Sequence, residues 1–453
     1  MRKIILIAIL VAGIQAFPQI YPVTGTIHGL SGEMIYLADF YGDQHKIVDS
    51  VKTNVTGTFI FSMEGYETGF YRIIFRNQRF IDFIYNKEPV SFTTNVDRPF
   101  ENIKFSTSVE NLIWYDYLFR KEDSQYKLEL LNPLLLYYPV SSDFYEEVRA
   151  EYRAVQDEFE NYVQSVLDLN TETYASRAIR IDKPVPLSTN LPVEKQNEFL
   201  REHYFQGFQL DDPSMLRSNI ISSRIIGYLS LYRDPAYSRE KQEEEFIRAV
   251  DTILLKTMDN EDIYNFALQY LIDGFELYGF DRVITHIAEH YQPADACIHD
   301  RDNNELAKRM ENIRNLAVGK KAPDIDITDL NGEKFKLSSM DREYALIVFW
   351  ATWCTHCQAI IPDLSEIYDN RDQYNLEIAA IAVDTSLKAY EEYLQDNDFE
   401  WINYFDPLGW DSKPAKDYSI FATPTMFILD KNRKIIAKPM GIRELKESLE
   451  ELP

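Results

Sequence analysis

The chain has 453 residues and a formal net charge of −26, from 73 acidic and 47 basic side chains. That length points to about three domains, and 45% hydrophobic residues predict globular folding throughout rather than disorder. The acidic surplus repels phosphate backbones and excludes nucleic acid as an expected partner; its simplest consequence is solubility.

The N-terminus reads as a secretory signal over residues 1–16. Arg2 and Lys3 supply the positive start, Ile4 to Ile14 the apolar run and Ala16 a small residue for cleavage. The run is too short to span a bilayer as a helix, and an uncleaved anchor is the alternative. No cysteine follows it to carry a lipid. Export implies an oxidising compartment, so the expected location is the periplasm or cell envelope.

Residues 17–105 carry short alternating runs: Val23–Gly29, Met34–Phe40, Lys46–Val51, Thr58–Phe61, Phe70–Phe75, Phe80–Tyr85 and Val90–Thr93. Turn residues such as Gly42-Asp43 and Asn86-Lys87 punctuate them, which predicts an all-β antiparallel sandwich or barrel. His28 and His45 stand alone there and read as structural.

Residues 106–317 change to a helical period. Val148, Tyr152, Val155, Phe159, Tyr162 and Val166 recur at alternating spacings of four and three, the seam of an amphipathic helix. Further helices are predicted at Glu194–Phe205, Ser218–Leu231, Arg239–Lys256, Asp262–Leu277, Asp281–His290 and Asn303–Leu316. Lys183–Pro192 is a Pro-rich loop. His286, Glu289 and His290 form an H-x-x-E-H pattern, with Cys297 and His299 close behind. They sit in the last turn of an ordinary amphipathic helix, so no metal site is assigned and Cys297 is read as a free thiol.

Residues 318–453 alternate strand and helix, the signature of an α/β layer. Tyr344–Trp350 and Leu376–Val383 are continuous apolar runs, as in strands covered on both faces. Ala359–Tyr368, Leu387–Leu394 and Arg443–Leu449 read as helices, and Thr425–Leu429 and Lys434–Ala437 as strands. The fold class is therefore multidomain: a β-sandwich, a central helical region and a C-terminal α/β domain.

The chain has only three cysteines, too few for a disulfide scaffold. Two of them, Cys354 and Cys357, stand one helical turn apart where the first buried strand meets a helix. Free N–H groups at a helix start stabilise a thiolate, so Cys354 is the expected nucleophile and the more exposed sulfur. Cys357 is placed to attack the mixed disulfide and close the ring. A zinc site would need two more ligands, and only His356 is near.

The segment Trp353-Cys354-Thr355-His356-Cys357, preceded by Phe349-Trp350, resembles the thioredoxin superfamily. Pro362 matches the kink proline of that family's active-site helix. Thr423-Pro424-Thr425 matches its cis-proline loop, which implies that Pro424 packs beside the dithiol and that Thr423 binds the substrate backbone. The opening Gly319-Lys-Lys-Ala-Pro-Asp-Ile is similar to the TlpA/ResA-type exported branch, and the long stretch between Cys357 and Pro424 leaves room for an added strand–helix unit. The front of the chain resembles a β-domain of unknown function that precedes such modules in Bacteroidota proteins, through Gly25–Gly29, Asp49–Val51 and Gly57–Phe61.

The resemblance implies a thiol–disulfide oxidoreductase without a cofactor that acts on thiols or disulfides of exported proteins. A membrane-linked electron donor and reductase direction go with that branch. Thr355 and His356, between the cysteines, tune the thiolate, and a group that stabilises it would make the pair more oxidising. Trp353 is expected to cover the dithiol. Where thioredoxin buries an acid this chain has Val348, so Asp384 is the candidate proton relay, with capping of the following helix as the alternative. A peroxidase of the same fold is disfavoured by Ala351 and Val348, which stand where a Pro and a Thr or Ser would be needed. The competing function is an envelope protein that binds a partner, with the dithiol domain auxiliary.

Overall fold

A computed structural model describes residues 21–188, 191–294, 301–328, 332, 334–397 and 399–452. The expected signal segment 1–16, Cys297 and His299 lie outside the described residues. The chain divides into two compact units. One runs up to Leu231 and adds Lys256–Ile263; the other comprises Tyr232–Leu255 and everything from Tyr264 onward. The division falls inside the helical stretch.

The first unit opens with eight strands: β1 (Val23–His28), β2 (Met34–Tyr41), β3 (Gln44–Lys52), β4 (Thr58–Phe61), β5 (Gly69–Phe75), β6 (Arg79–Tyr85), β7 (Val90–Asn95) and β8 (Lys104–Thr107). They form two four-stranded sheets, in the orders β4-β1-β7-β8 and β3-β2-β5-β6. Alternation buries one face of β1, including Val23 and Ile27, while β5 is buried at six of its seven positions. Gly25 is required where it stands: an added Cβ would fall 2.5 Å from the Phe59 ring. The expectation of an antiparallel domain needs one correction, because β1 and β7 pair parallel, Val23 opposite Val90. Alternating burial is the same in both arrangements, so the direction of a partner distant in sequence is not written in it.

Helices α1 (Val109–Tyr137), α2 (Asp143–Leu169), α3 (Tyr174–Asp182), α4 (Val193–His203) and α5 (Ile220–Ser230) follow. The stripe on α2 is buried as the spacing predicts from Val148 to Phe159, but its last two turns bury Val163 and Leu167 and leave Tyr162 and Val166 half-buried. Two side chains at the start of α1 join it to the sheet and to α3. Fully buried Asn111 pairs its amide with both backbone groups of Ile84: Nδ2 donates to the carbonyl at 2.7 Å, and Oδ1 accepts from the N–H at 2.8 Å. It thereby continues the ladder beyond β6, which is an edge strand. Buried Glu110 accepts from the N–H groups of Tyr174 and Ala175, at the start of α3. A truncated Asn111 would leave two buried backbone groups unpaired. Asn111→Ala is expected to destabilise the first unit by about 2–4 kcal/mol, read as a lower denaturant midpoint; a change under about 0.5 kcal/mol, the scale of an ordinary surface substitution, contradicts this reading.

The second unit contains most of α6 (Arg239–Thr257) and α7 (Glu261–Leu277), with α8 (Asp281–His290) and α9 (Arg301–Asn315). A small hairpin, β9 (Asp326–Thr328) and β10 (Lys334–Lys336), leads into β11 (Tyr344–Trp350), α10 (Thr355–Asp369), α11 (Arg371–Tyr374), β12 (Leu376–Ala382), α12 (Leu387–Asp396), β13 (Ile402–Phe405), α13 (Lys413–Asp417), β14 (Thr425–Asp430), β15 (Ile435–Ala437) and α14 (Ile442–Glu450). The five-stranded sheet has the order β13-β12-β11-β14-β15, with β11, β12 and β13 parallel and β14 and β15 antiparallel to their neighbours. All seven residues of β11 are buried, as a central strand covered by helices on both faces requires. This is the expected thioredoxin-like α/β domain. The added strand–helix unit is also present, as β13 at the sheet edge and α13 after it. Ion pairs Arg239–Glu444 (3.0 Å) and Lys438–Asp281 (3.1 Å) tie α6 and α8 to the end of the α/β domain.

Candidate active site

Sheet topology brings three connections to one edge. Parallel β11 and β12 both end there, and antiparallel β14 begins there, with Thr425 opposite Phe349. Cys354 follows β11, Asp384 follows β12, and Thr423-Pro424 precedes β14. The carboxyl ends of parallel strands are where open α/β sheets carry their sites.

Cys354 is the N-cap of α10, the place a Ser or Asp usually takes. Its Sγ accepts from the Cys357 N–H at 3.4 Å. Its thiol donates to the Thr423 carbonyl at 3.3 Å, so the loop before β14 touches the sulfur. The Thr423–Pro424 peptide is cis, as the resemblance implied. Pro362 lies inside α10.

The two sulfurs are unlike. Cys354 is 8% exposed and Cys357 1%. Burial pushes the Cys354 thiol up, but hydrogen bonds from the Cys357 thiol, the Thr423 side chain and the backbone N–H groups of Cys357 and His356 outweigh it. The result lies below the ordinary value of 9.0. Burial and the Cys354 thiol push Cys357 up to about 12. Its surroundings explain this: Cys357 lines an apolar pocket with Val348, Ile361, Leu364 and Trp401. The position where thioredoxin buries an acid is thus part of a dry wall. A thiolate therefore forms first at Cys354, the sulfur nearer to solvent. The alkylation rate of Cys354 is expected to rise with pH about a midpoint below 9.0, with Cys357 unreactive until near pH 12. Mass-resolved iodoacetamide labelling checks this; coincident profiles for the two sulfurs contradict it.

Asp384 is 2% exposed, and its carboxylate is occupied by Thr352. It accepts from the Thr352 N–H at 3.0 and 3.2 Å and from the Thr352 hydroxyl at 2.5 Å. Gln358 Nε2 donates to the Thr352 carbonyl at 2.7 Å. Among the described residues no hydrogen bond from Asp384 to either sulfur is present. The alternative expectation, a cap on the next helix, is corrected: Ser386 caps α12 by accepting from the Ala389 N–H. Asp384 is bonded instead to Thr352, two residues before Cys354. Sequence reasoning missed Thr352 and Gln358; the one available signal was a hydroxyl residue two positions before Cys354.

The remaining expected residues surround the dithiol. Thr355 and His356 are exposed in the first turn of α10, and His356 acts on Cys354 through its backbone N–H. Trp353 is 59% exposed, and its ring lies 6.4 Å from that of Trp410. The histidine pattern on α8 is structural in form. His286 Nε2 is 2.7 Å from Asp251 Oδ1, and the His286 and His290 rings stack at 4.3 Å. Among the described residues no group of three or more metal-ligating side chains gathers.

The AhpC/TSA family matches residues 318–438, and a domain of unknown function, DUF4369, matches residues 21–114. The chain is 31% identical over 136 residues to the thiol-disulfide oxidoreductase ResA of Bacillus thuringiensis subsp. konkukian, covering 30% of this chain and 76% of that protein. It is 25% identical over 126 residues to ResA of Bacillus subtilis, covering 28% and 69%. Among solved structures, the C-terminal domain of a putative thiol-disulfide oxidoreductase from Bacteroides thetaiotaomicron is 28% identical with a TM-score of 0.27, covering 30% of this chain and 95% of that one. A thioredoxin-like protein from Bacteroides caccae is 18% identical with a TM-score of 0.43, covering 59% and 96%. With a curated relative above 30% identity matched over three quarters of its length, the chain belongs to the ResA-type thiol–disulfide oxidoreductase family, its enzymatic fold carried by the C-terminal domain.

Proposed function

We propose that the protein reduces disulfides of other exported proteins through Cys354 and Cys357, in the periplasm or cell envelope. The observation that carries this reading is the asymmetry of the pair: a helix-capping sulfur of lowered pKa touching the Thr423 carbonyl, beside a buried sulfur pushed up to about 12. The Cys354 thiolate attacks one sulfur of the substrate disulfide, forming a mixed disulfide and releasing a substrate thiolate that takes up a proton. Cys357 loses its proton and attacks Cys354 Sγ. The Cys354–Cys357 disulfide forms and the second substrate thiol leaves. The substrate gains two electrons and two protons, and the enzyme dithiol loses them. A donor outside the protein, membrane-linked in this reading, restores the dithiol.

Support for the reductase direction comes from the environment of Cys354. Strong oxidants have a strongly stabilised thiolate. Here burial, the largest single influence on Cys354, opposes the thiolate and offsets part of what the hydrogen bonds give it. Thr423 and Pro424 are assigned the substrate backbone, because their loop already meets the nucleophile. Among the described residues no helix is long and apolar enough to cross a membrane. Equilibration against dithiothreitol and glutathione buffers tests the direction. A potential near about −270 mV supports a reductase, and one near about −120 mV overturns that direction.

A further inference from the structure

Two exposed tryptophans, one of them next to Cys354 in the chain, follow residues anchored by a single turn. Asp384 fixes Thr352, the neighbour of Trp353. On the other side of the same turn, Gly409 precedes Trp410 and packs against Val383 and Thr385. A Cβ on Gly409 would fall 2.8 Å from the Val383 carbonyl oxygen and 3.0 Å from Thr385 Cγ2, and its φ is +54°. Residues 383–385 therefore anchor the backbone next to each tryptophan, and the two rings lie 6.4 Å apart at 50°. Trp353 is 59% and Trp410 36% exposed, and Leu408 and Phe421 nearby in the chain are exposed as well. The strand–helix insertion supplies Trp410; the active-site loop supplies Trp353. A paired aromatic surface left in water beside a reactive sulfur marks a binding site more than a packing defect.

We propose that Trp353 and Trp410 form a binding platform for a bulky apolar side chain close to the half-cystine of an extended polypeptide substrate. The proposal rests on the exchange chemistry proposed for Cys354, and it adds what the substrate presents. The platform is continuous with the reaction site, because Trp353 adjoins Cys354 in the chain. In an extended strand, side chains two residues apart share a face about 7 Å apart. A chain with its sulfur at Cys354 thus carries a neighbouring side chain towards the rings. In folded proteins apolar residues around a cystine are mostly buried. The preferred substrate is consequently a non-native or locally unfolded exported chain.

The test uses the full-length reduced protein and two cystine-linked peptides that differ only in Leu or Ser two residues from the half-cystine. The wild type is expected to favour the Leu peptide by about tenfold in kcat/KM. Trp410→Ala is expected to bring that ratio near one, and Trp410→Phe to restore most of it. A wild-type ratio near one, or an undiminished ratio in Trp410→Ala, overturns the platform. If the wild type reduces neither peptide, the exchange reading fails. The platform is then judged by calorimetry with the Leu peptide carrying alanine for cysteine, where binding to wild type but not to Trp410→Ala upholds it and equal or absent binding overturns it.

Discussion

Cys354→Ser is expected to lower disulfide exchange by about a thousandfold or more, because a serine hydroxyl does not ionise at neutral pH and cannot serve as the attacking thiolate. Cys357→Ser should behave differently. Its Cys354 keeps the helix N-terminus and the contact with Thr423. It can attack a substrate disulfide but has no neighbour to release the product. The expected outcome is a stable mixed disulfide through Cys354, visible as a mass shift equal to one substrate thiol and removed by dithiothreitol. Equal loss in both variants without a trapped species would contradict the division of labour between a reactive sulfur and a buried one. The serine at 357 retains a hydroxyl that can donate to Cys354, so the thiolate of this variant should still form below the ordinary thiol range.

Asp384→Ala is expected to slow exchange by about 10- to 100-fold through displacement of the nucleophile, since small misplacements of a reacting group carry costs of that order. The loss also leaves the buried Thr352 N–H and hydroxyl without their acceptor. That adds about 2–4 kcal/mol of destabilisation to the α/β domain. The conservative variant separates two roles. Asp384→Asn keeps one acceptor oxygen for Thr352, so a positioning role predicts that it recovers much of the rate. A proton relay requires the ionisable carboxyl, so a relay predicts that Asn is as damaging as Ala and that one limb of the pH–rate profile disappears. The bonds to Thr352 favour the first outcome, and a lost limb in Asp384→Asn would establish the second.

Much of the α/β domain was legible because its signals are local. An apolar strand, a dithiol at a helix start and a proline before the next strand each occupy a few consecutive residues, and β11, α10 and β14 stand where these features predict. The partner of Asp384 was not legible. Thr352 lies 32 residues away, and only the parallel pairing of β11 with β12 brings the two together. The added strand was expected but not located: β13 has four residues at a sheet edge, three half-buried and Phe405 buried, too short for a clear alternation. Helix α1 was hidden for the opposite reason. It buries Trp114, Tyr115 and Tyr117 yet exposes Tyr126, Leu130 and Tyr137, and Pro133 lies within it, so no single apolar stripe marks its course. The buried pair Glu110 and Asn111 reads in sequence as an ordinary polar helix start. Their importance comes from a strand edge and a second helix that only the tertiary structure supplies.

The most direct test of the account is to oxidise the reduced full-length protein with one equivalent of a diazene dithiol oxidant and map its cross-links by mass spectrometry. The predicted result is a Cys354–Cys357 link that an excess of dithiothreitol fully reverses. Absence of that link, with both sulfurs still open to alkylation after denaturation, would contradict the claim that these two residues form the redox centre.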